Sequence, residues 1–175
     1  VGVRHQRAQT ERWAAWARQR GVMLSGAYPM LQVTGTLHGL GIQMVTHRFS
    51  HGHGRRRRTS YKHEVIATPQ VHLGDLTLSR DGFFASVGKV FGGQDIQIGD
   101  AAFDAAFVVR STNEHAARAV LTPAVRVALL GAQQALGDVY VEAGGVRTMR
   151  TGAPNPDTID PVLDAVARVA QSFGQ

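Results

Sequence analysis

Between residues 31 and 68 the apolar side chains recur at every second position, and this period decides what the chain can become. Leu31, Val33 and Leu37 alternate with Gln32, Thr34, Thr36 and His38. His38, Gly39, Leu40 and Gly41 then turn the chain, residues 42–49 return, and residues 59–68 make a third pass that ends at Pro69. A period of two sends one side of each strand to a core and the other toward solvent, and Gly turns with a terminal Pro bound such strands. The pattern predicts an antiparallel sheet. Further short strands are expected at 76–79, 96–98 and 107–110, with turns at Asp81-Gly82 and Gly92-Gly93. A hairpin of 139–142 with 146–150 is expected around Gly144-Gly145.

Elsewhere the period lengthens to that of a helix. Trp13, Trp16, Ala17 and Arg20 share a face over residues 6–20, and Gly21 is a natural stop. Two tryptophans on a helix rich in arginine (Arg4, Arg7, Arg12, Arg18, Arg20, against Glu11) invite a membrane-surface reading. An interfacial helix needs a broader apolar face, so the pair is expected to cap the core instead. Asn113 suits the cap of a short helix reaching Leu121, and Thr122 followed by Pro123 the start of another, since the first helical N–H has no partner to lose. In the last helix Ile159, Val162, Leu163, Val166, Val169, Ala170 and Phe173 form a continuous stripe that must pack on a sheet. The fold class expected is α+β, an antiparallel β-sheet covered by an N-terminal helix, a central helix pair and a C-terminal amphipathic helix. Residues 1–175 fit a single domain. The chain opens on Val1 rather than Met, so it is expected to be a fragment of a longer protein, in which any anchor or signal would lie upstream.

Charge is concentrated rather than spread. Residues 47–63 hold six of the 19 basic residues and none of the 13 acidic ones, so the remaining 13 basic residues balance the 13 acids. The formal +6 is local to one expected hairpin, with residues 50–58 as its exposed basic tip. Arg48, Arg55, Arg56, Arg57, Arg58 and Lys62 are the candidate anion-binding residues, because guanidinium grips phosphate in two places at once. Phe49 and Tyr61 flank the run and could stack on bases. Four of the eight histidines, His47, His51, His53 and His63, fall in the same stretch and are the candidate metal ligands. Against a metal, four consecutive arginines repel a dication, and no carboxylate lies between Glu11 and Glu64. The absence of cysteine removes disulfides, thiolate metal sites and a Cys nucleophile.

Asp100 and Asp104, four residues apart, with Phe103 and Phe107 at the same spacing, form a second constellation. Two carboxylates could act as acid and base or hold Mg²⁺. They equally suit a turn and a helix cap with both rings directed inward. The stretch Gly99, Asp100, Ala101, Ala102, Phe103, Asp104, Ala105, Ala106, Phe107, Val108, Val109, with Leu121, Thr122, Pro123 and Arg126 beyond it, resembles an uncharacterised bacterial family with a GDpxFDxxFxV…LLTPxxR pattern. The resemblance implies the element order (opening helix, early strand pair, closing amphipathic helix) and a membrane tether outside this region. It implies no catalytic residue, and the Arg- and His-rich hairpin departs from the pattern.

No phosphate loop, nucleophile elbow or HExxH motif is present. Catalytic residues: none are assigned, and no cofactor is expected. The reading is a non-enzymatic binding or scaffold module whose basic hairpin contacts an anionic partner, namely membrane headgroups, an acidic protein or nucleic acid. Nucleic-acid binding through the same hairpin is the first alternative. An enzyme or metalloprotein using the histidines or Asp100 and Asp104 is the second. Apolar runs fall short of the roughly 20 residues that span a bilayer, so the expected location is the cytoplasm or the periphery of a membrane.

Overall fold

The computed structural model describes residues 2–52, 58–80 and 94–175. Helix α1 (Val3–Arg20) leads, and strands β1 (Met23–Ala27), β2 (Met30–Leu37), β3 (Leu40–His51) and β4 (Arg58–Thr68) follow as a meander. Then come β5 (Thr77–Ser79), β6 (Gln94–Ile96), helix α2 (Ala101–Ala106) and β7 (Val108–Ser111). Helices α3 (Glu114–Val120) and α4 (Pro123–Leu136) precede the hairpin of β8 (Tyr140–Glu142) and β9 (Gly145–Thr151), and α5 (Ile159–Ser172) is the last element. Among the described residues nine strands form one antiparallel sheet in the order β1-β2-β3-β4-β9-β8-β5-β7-β6. The late β8–β9 hairpin is therefore inserted between β4 and β5. The architecture is the α+β class that the alternating and helical periods predict.

The stripe on α5 is what seals the sheet. Ile159, Leu163, Val166, Val169 and Ala170 are buried, and the helix packs across β3, β4 and β9. The inward row it covers is Leu31 and Val33 on β2, Ile42 and Met44 on β3, Val65 and Ala67 on β4, and Val146 on β9. Trp13 and Trp16 of α1 bury beside it, their rings edge to face at 5.1 Å, and Trp16 Nε1 donates to Asp160 Oδ1 at 3.0 Å. The tryptophan pair caps the core. Helix α4 lies on α5, starting where the Thr122 hydroxyl accepts from Val125 N at 3.4 Å. Helices α3 and α4 together are apolar enough to suggest a span, but they bend by 75° between them and bury Val125 and Leu129. No single described helix is long and apolar enough to cross a membrane.

The hairpin turns follow their chemistry. His38 (φ 51°) with Gly39 (φ 78°) joins β2 to β3, and Ala143 (φ 50°) with Gly144 (φ 74°) joins β8 to β9. Two successive positive φ values match the twist of the flanking strands, at a strain that falls on the non-glycine partner. Two expectations need correction. Residues 23–27 form an edge strand that alternation had not marked. The tip expected at 50–58 is shorter, because Ser50 pairs with Thr59 and His51 with Arg58, so both strands run further out.

The opposite face of β1–β4, β8 and β9 has no described helix on it, and strand register lays it out in rows. Met23, Thr34, Gln43, Ile66, Arg147 and Tyr140 make one row, and Gln32, Val45, Glu64 and Met149 the next. His47, Lys62 and Thr151 follow, then Phe49 with Ser60, then His51 with Arg58.

Candidate functional site

The basic stretch is a two-stranded arm. β3 and β4 pair from Gly41 with Thr68 out to His51 with Arg58, but β2 accompanies β3 only as far as Val45. On the other flank β9 accompanies β4 only from Lys62 inward, and Gly152 N donating to the Tyr61 carbonyl at 2.8 Å is the last tie. Four rungs, Arg48–Tyr61 to His51–Arg58, thus project beyond both neighbours, about 13 Å of ribbon at strand rise. Among the described residues no strand lies beside either edge of the arm, and charged side chains on such edges suppress pairing with other chains.

Arg48, Arg58 and Lys62 are exposed, and none forms an ion pair among the described residues. Alternation puts Lys62 and Arg58 on the open face with Phe49, and Arg48 with Tyr61 on the other. The Lys62 ammonium stands 5.6 Å from the centre of the Phe49 ring, a cation–π contact. Arg55, Arg56, Arg57 and His53 lie outside the described residues.

The described histidines are not brought together. His47 lies on the open face, whereas His63 pairs with Arg150 and faces the helix layer, where it is buried. Its Nδ1 donates to the Gly152 carbonyl at 3.1 Å. Burial pushes the His63 pKa below its ordinary value, and the Arg150 charge adds to this against the opposing carbonyl bond. His51 sits four residues beyond His47 on the same strand, about 13 Å away, and its Nε2 meets the Ser60 hydroxyl at 3.3 Å. Among the described residues no group of three His, Cys, Asp or Glu is arranged to hold a metal ion.

The root of the arm holds a polar network that the sequence did not announce. Glu64 Oε1 accepts from the Tyr140 hydroxyl at 2.7 Å and from Arg147 at 3.1 Å, while His47 Nε2 lies 3.8 Å from Glu64 Oε2. Burial first, then the bond to the neighbouring carboxylate, pushes the Tyr140 pKa well above its ordinary value. Glu64 is the one carboxylate of β4, and Arg147 neutralises it, so it does not cancel the cations further out.

Asp100 and Asp104 are structural. Asp104 accepts from Ile98 N at 2.9 Å and Gly99 N at 2.8 Å, while Asp100 caps α2 through Phe103 N at 3.2 Å. Arg126 joins them, its Nε 3.0 Å from Asp100 Oδ2 and another nitrogen 3.0 Å from the Leu121 carbonyl. Phe103 and Phe107 are buried with ring centres 5.1 Å apart. The carboxylates thereby hold the turn into α2 and clamp it to the start of α4. Nearby, Asp75 accepts from the Ser111 and Thr112 hydroxyls and from Thr112 N, which hold its pKa down at about 2.

No protein-family model matches the chain, and no match is found among curated protein sequences. One solved structure shares the fold. The crystal structure of the mycobacterial trehalose monomycolate transport factor A superposes with a TM-score of 0.50, covering 95% of this chain and 93% of that one at 15% sequence identity.

Proposed function

We propose that this chain is a binding module, without chemistry of its own, that engages an anionic partner through the β3–β4 arm. The observation that carries the reading is the combination of reach and unspent charge. The arm extends past both flanking strands, and Arg48, Arg58 and Lys62 are exposed on it with no ion pair among the described residues. Arg55, Arg56 and Arg57 belong to the same basic stretch of the sequence. A long-range positive potential on a protruding element accelerates encounter with anions and contributes little to folding. The shared fold of a transport factor is in keeping with a role in binding rather than turnover.

The test is salt dependence. The 175-residue chain titrated against heparin should bind at low ionic strength and weaken steeply as salt rises. On duplex DNA each phosphate contact would contribute a log–log slope of roughly −0.9, so four contacts give about −3.6. Serine at Arg55, Arg56, Arg57 and Arg58 together should abolish binding while leaving the melting temperature unchanged. A wild type that ignores both polyanions at low salt overturns the proposal.

A further inference from the structure

We propose that the anionic partner is a lipid bilayer surface bearing phospholipid headgroups, met by the open face of the sheet together with the arm. The inference rests on the anion-binding reading above and adds what the arm's charge alone does not specify. Five large apolar side chains are exposed among the described residues: Val3, Met23, Met30, Phe49 and Val127. Three of them, Met23, Met30 and Phe49, belong to the open face by strand alternation, at 75%, 43% and 39% exposure. Met30 begins β2 two residues before Gln32, whose partner is Val45, so it stands at the root of the arm one row from Phe49. Half-buried Val45 lies on β3 among them, and half-buried Ile66 and Met149 continue the same face onto β4 and β9.

Apolar and basic groups therefore share one side of the molecule, where a flat surface can meet both at once. Lys62 beside the Phe49 ring is the pairing that suits an interface, with an apolar body directed inward and a charged head left among phosphates. Glu64, the carboxylate at the arm's root, is tied to Arg147 and Tyr140. Asp138 forms no ion pair with Lys62 and lies in the fields of both Arg80 and Lys62. A nucleic acid fits less well. Phe49 and Tyr61 occupy opposite faces of the ribbon, so successive bases have no common stacking platform.

The experiment compares vesicles of phosphatidylcholine, with and without phosphatidylglycerol, against heparin, using the full chain. Wild type should sediment with the phosphatidylglycerol vesicles and not with phosphatidylcholine alone. Met30→Ser with Phe49→Ser should weaken vesicle binding about tenfold and change heparin binding by less than about twofold, because only apolar area is removed. A Phe49→Trp variant bound to vesicles with brominated acyl chains should show quenching, which Trp13 and Trp16 in the core would not contribute. Vesicle binding unaltered by the serine pair, or binding without quenching, overturns the bilayer reading. Heparin binding without vesicle binding overturns it too while leaving the anion-binding arm standing. Loss of both ligands overturns the arm itself.

Discussion

Replacing Asp104 by alanine should cost about 2–3 kcal/mol of folding stability and leave anion binding untouched. The figure follows from the two backbone groups the carboxylate serves. Ile98 N–H and Gly99 N–H donate to separate oxygens at 2.9 and 2.8 Å, and hydrogen bonds to a charged acceptor are each worth more than neutral ones. Gly99 is exposed, so water replaces part of what it loses. Ile98 is partly buried, and its N–H would bear most of the cost of going unpaired. In a domain of this length that destabilisation lowers the midpoint by about 4–12 °C. Asn at the same position keeps one acceptor oxygen and should retain roughly half the stability. Urea unfolding followed by the fluorescence of buried Trp13 and Trp16 measures both variants. A difference below about 0.5 kcal/mol for Asp104→Ala would refute the reasoning, since a change that small is typical of surface positions without specific bonds. The carboxylate would then have to be explained by something other than the turn.

Two further outcomes are expected. His63 is held neutral, with its folded pKa below 6.5, so the unfolded chain takes up the proton first as pH falls. The stability it contributes is fully present above 6.5, declines as pH drops from there toward the folded value, and is constant below that. Urea midpoints taken across this range should show the decline in wild type and lose it in His63→Gln, whose amide can still donate to the Gly152 carbonyl. At the arm's root, Glu64→Ala should destabilise by about 3 kcal/mol, because it strands the half-buried Arg147 guanidinium. It should also bring the Tyr140 titration, followed by alkaline absorbance, down toward that of an ordinary tyrosine.

Much of the fold was legible because its signals are local. The stripe from Ile159 to Phe173, the Thr122-Pro123 start and the Asn113 cap act within a turn of where they are read, and the structure has each of them. β1 escaped because Met23, Ser25 and Ala27 of this edge strand are exposed, so only Leu24 marks an inward face. The outermost rungs of the arm escaped for a related reason: residues 50–51 carry no apolar alternation, and the ladder with β4 alone extends them. The root network was invisible on other grounds. Tyr140 and Arg147 are 76 and 83 residues from Glu64, and they meet it only because β8–β9 is inserted beside β4. The basic cluster could be read from composition. What composition could not supply was the face on which each member lies, which separates His63 from His47 and sets Phe49 beside Lys62.

The neutrality of the remaining chain has a structural counterpart that bears on the arm. Arg12 pairs with Asp157, Arg20 with Asp160, Arg110 with Asp95, Arg118 with Glu114, Arg126 with Asp100 and Arg147 with Glu64. Most of these pairs tie elements distant in sequence: α1 to the start of α5, α2 to α4, β4 to β9. At physiological salt the screening length is about 8 Å, so each pair looks nearly neutral from the end of a ribbon about 13 Å long. Six carboxylates are thus engaged in ion pairs, whereas Arg48, Arg58 and Lys62 of the arm form none among the described residues. Charge that stabilises the fold and charge available to a partner sit on different residues, which is why removing the arm's arginines should silence binding while the core melts as before.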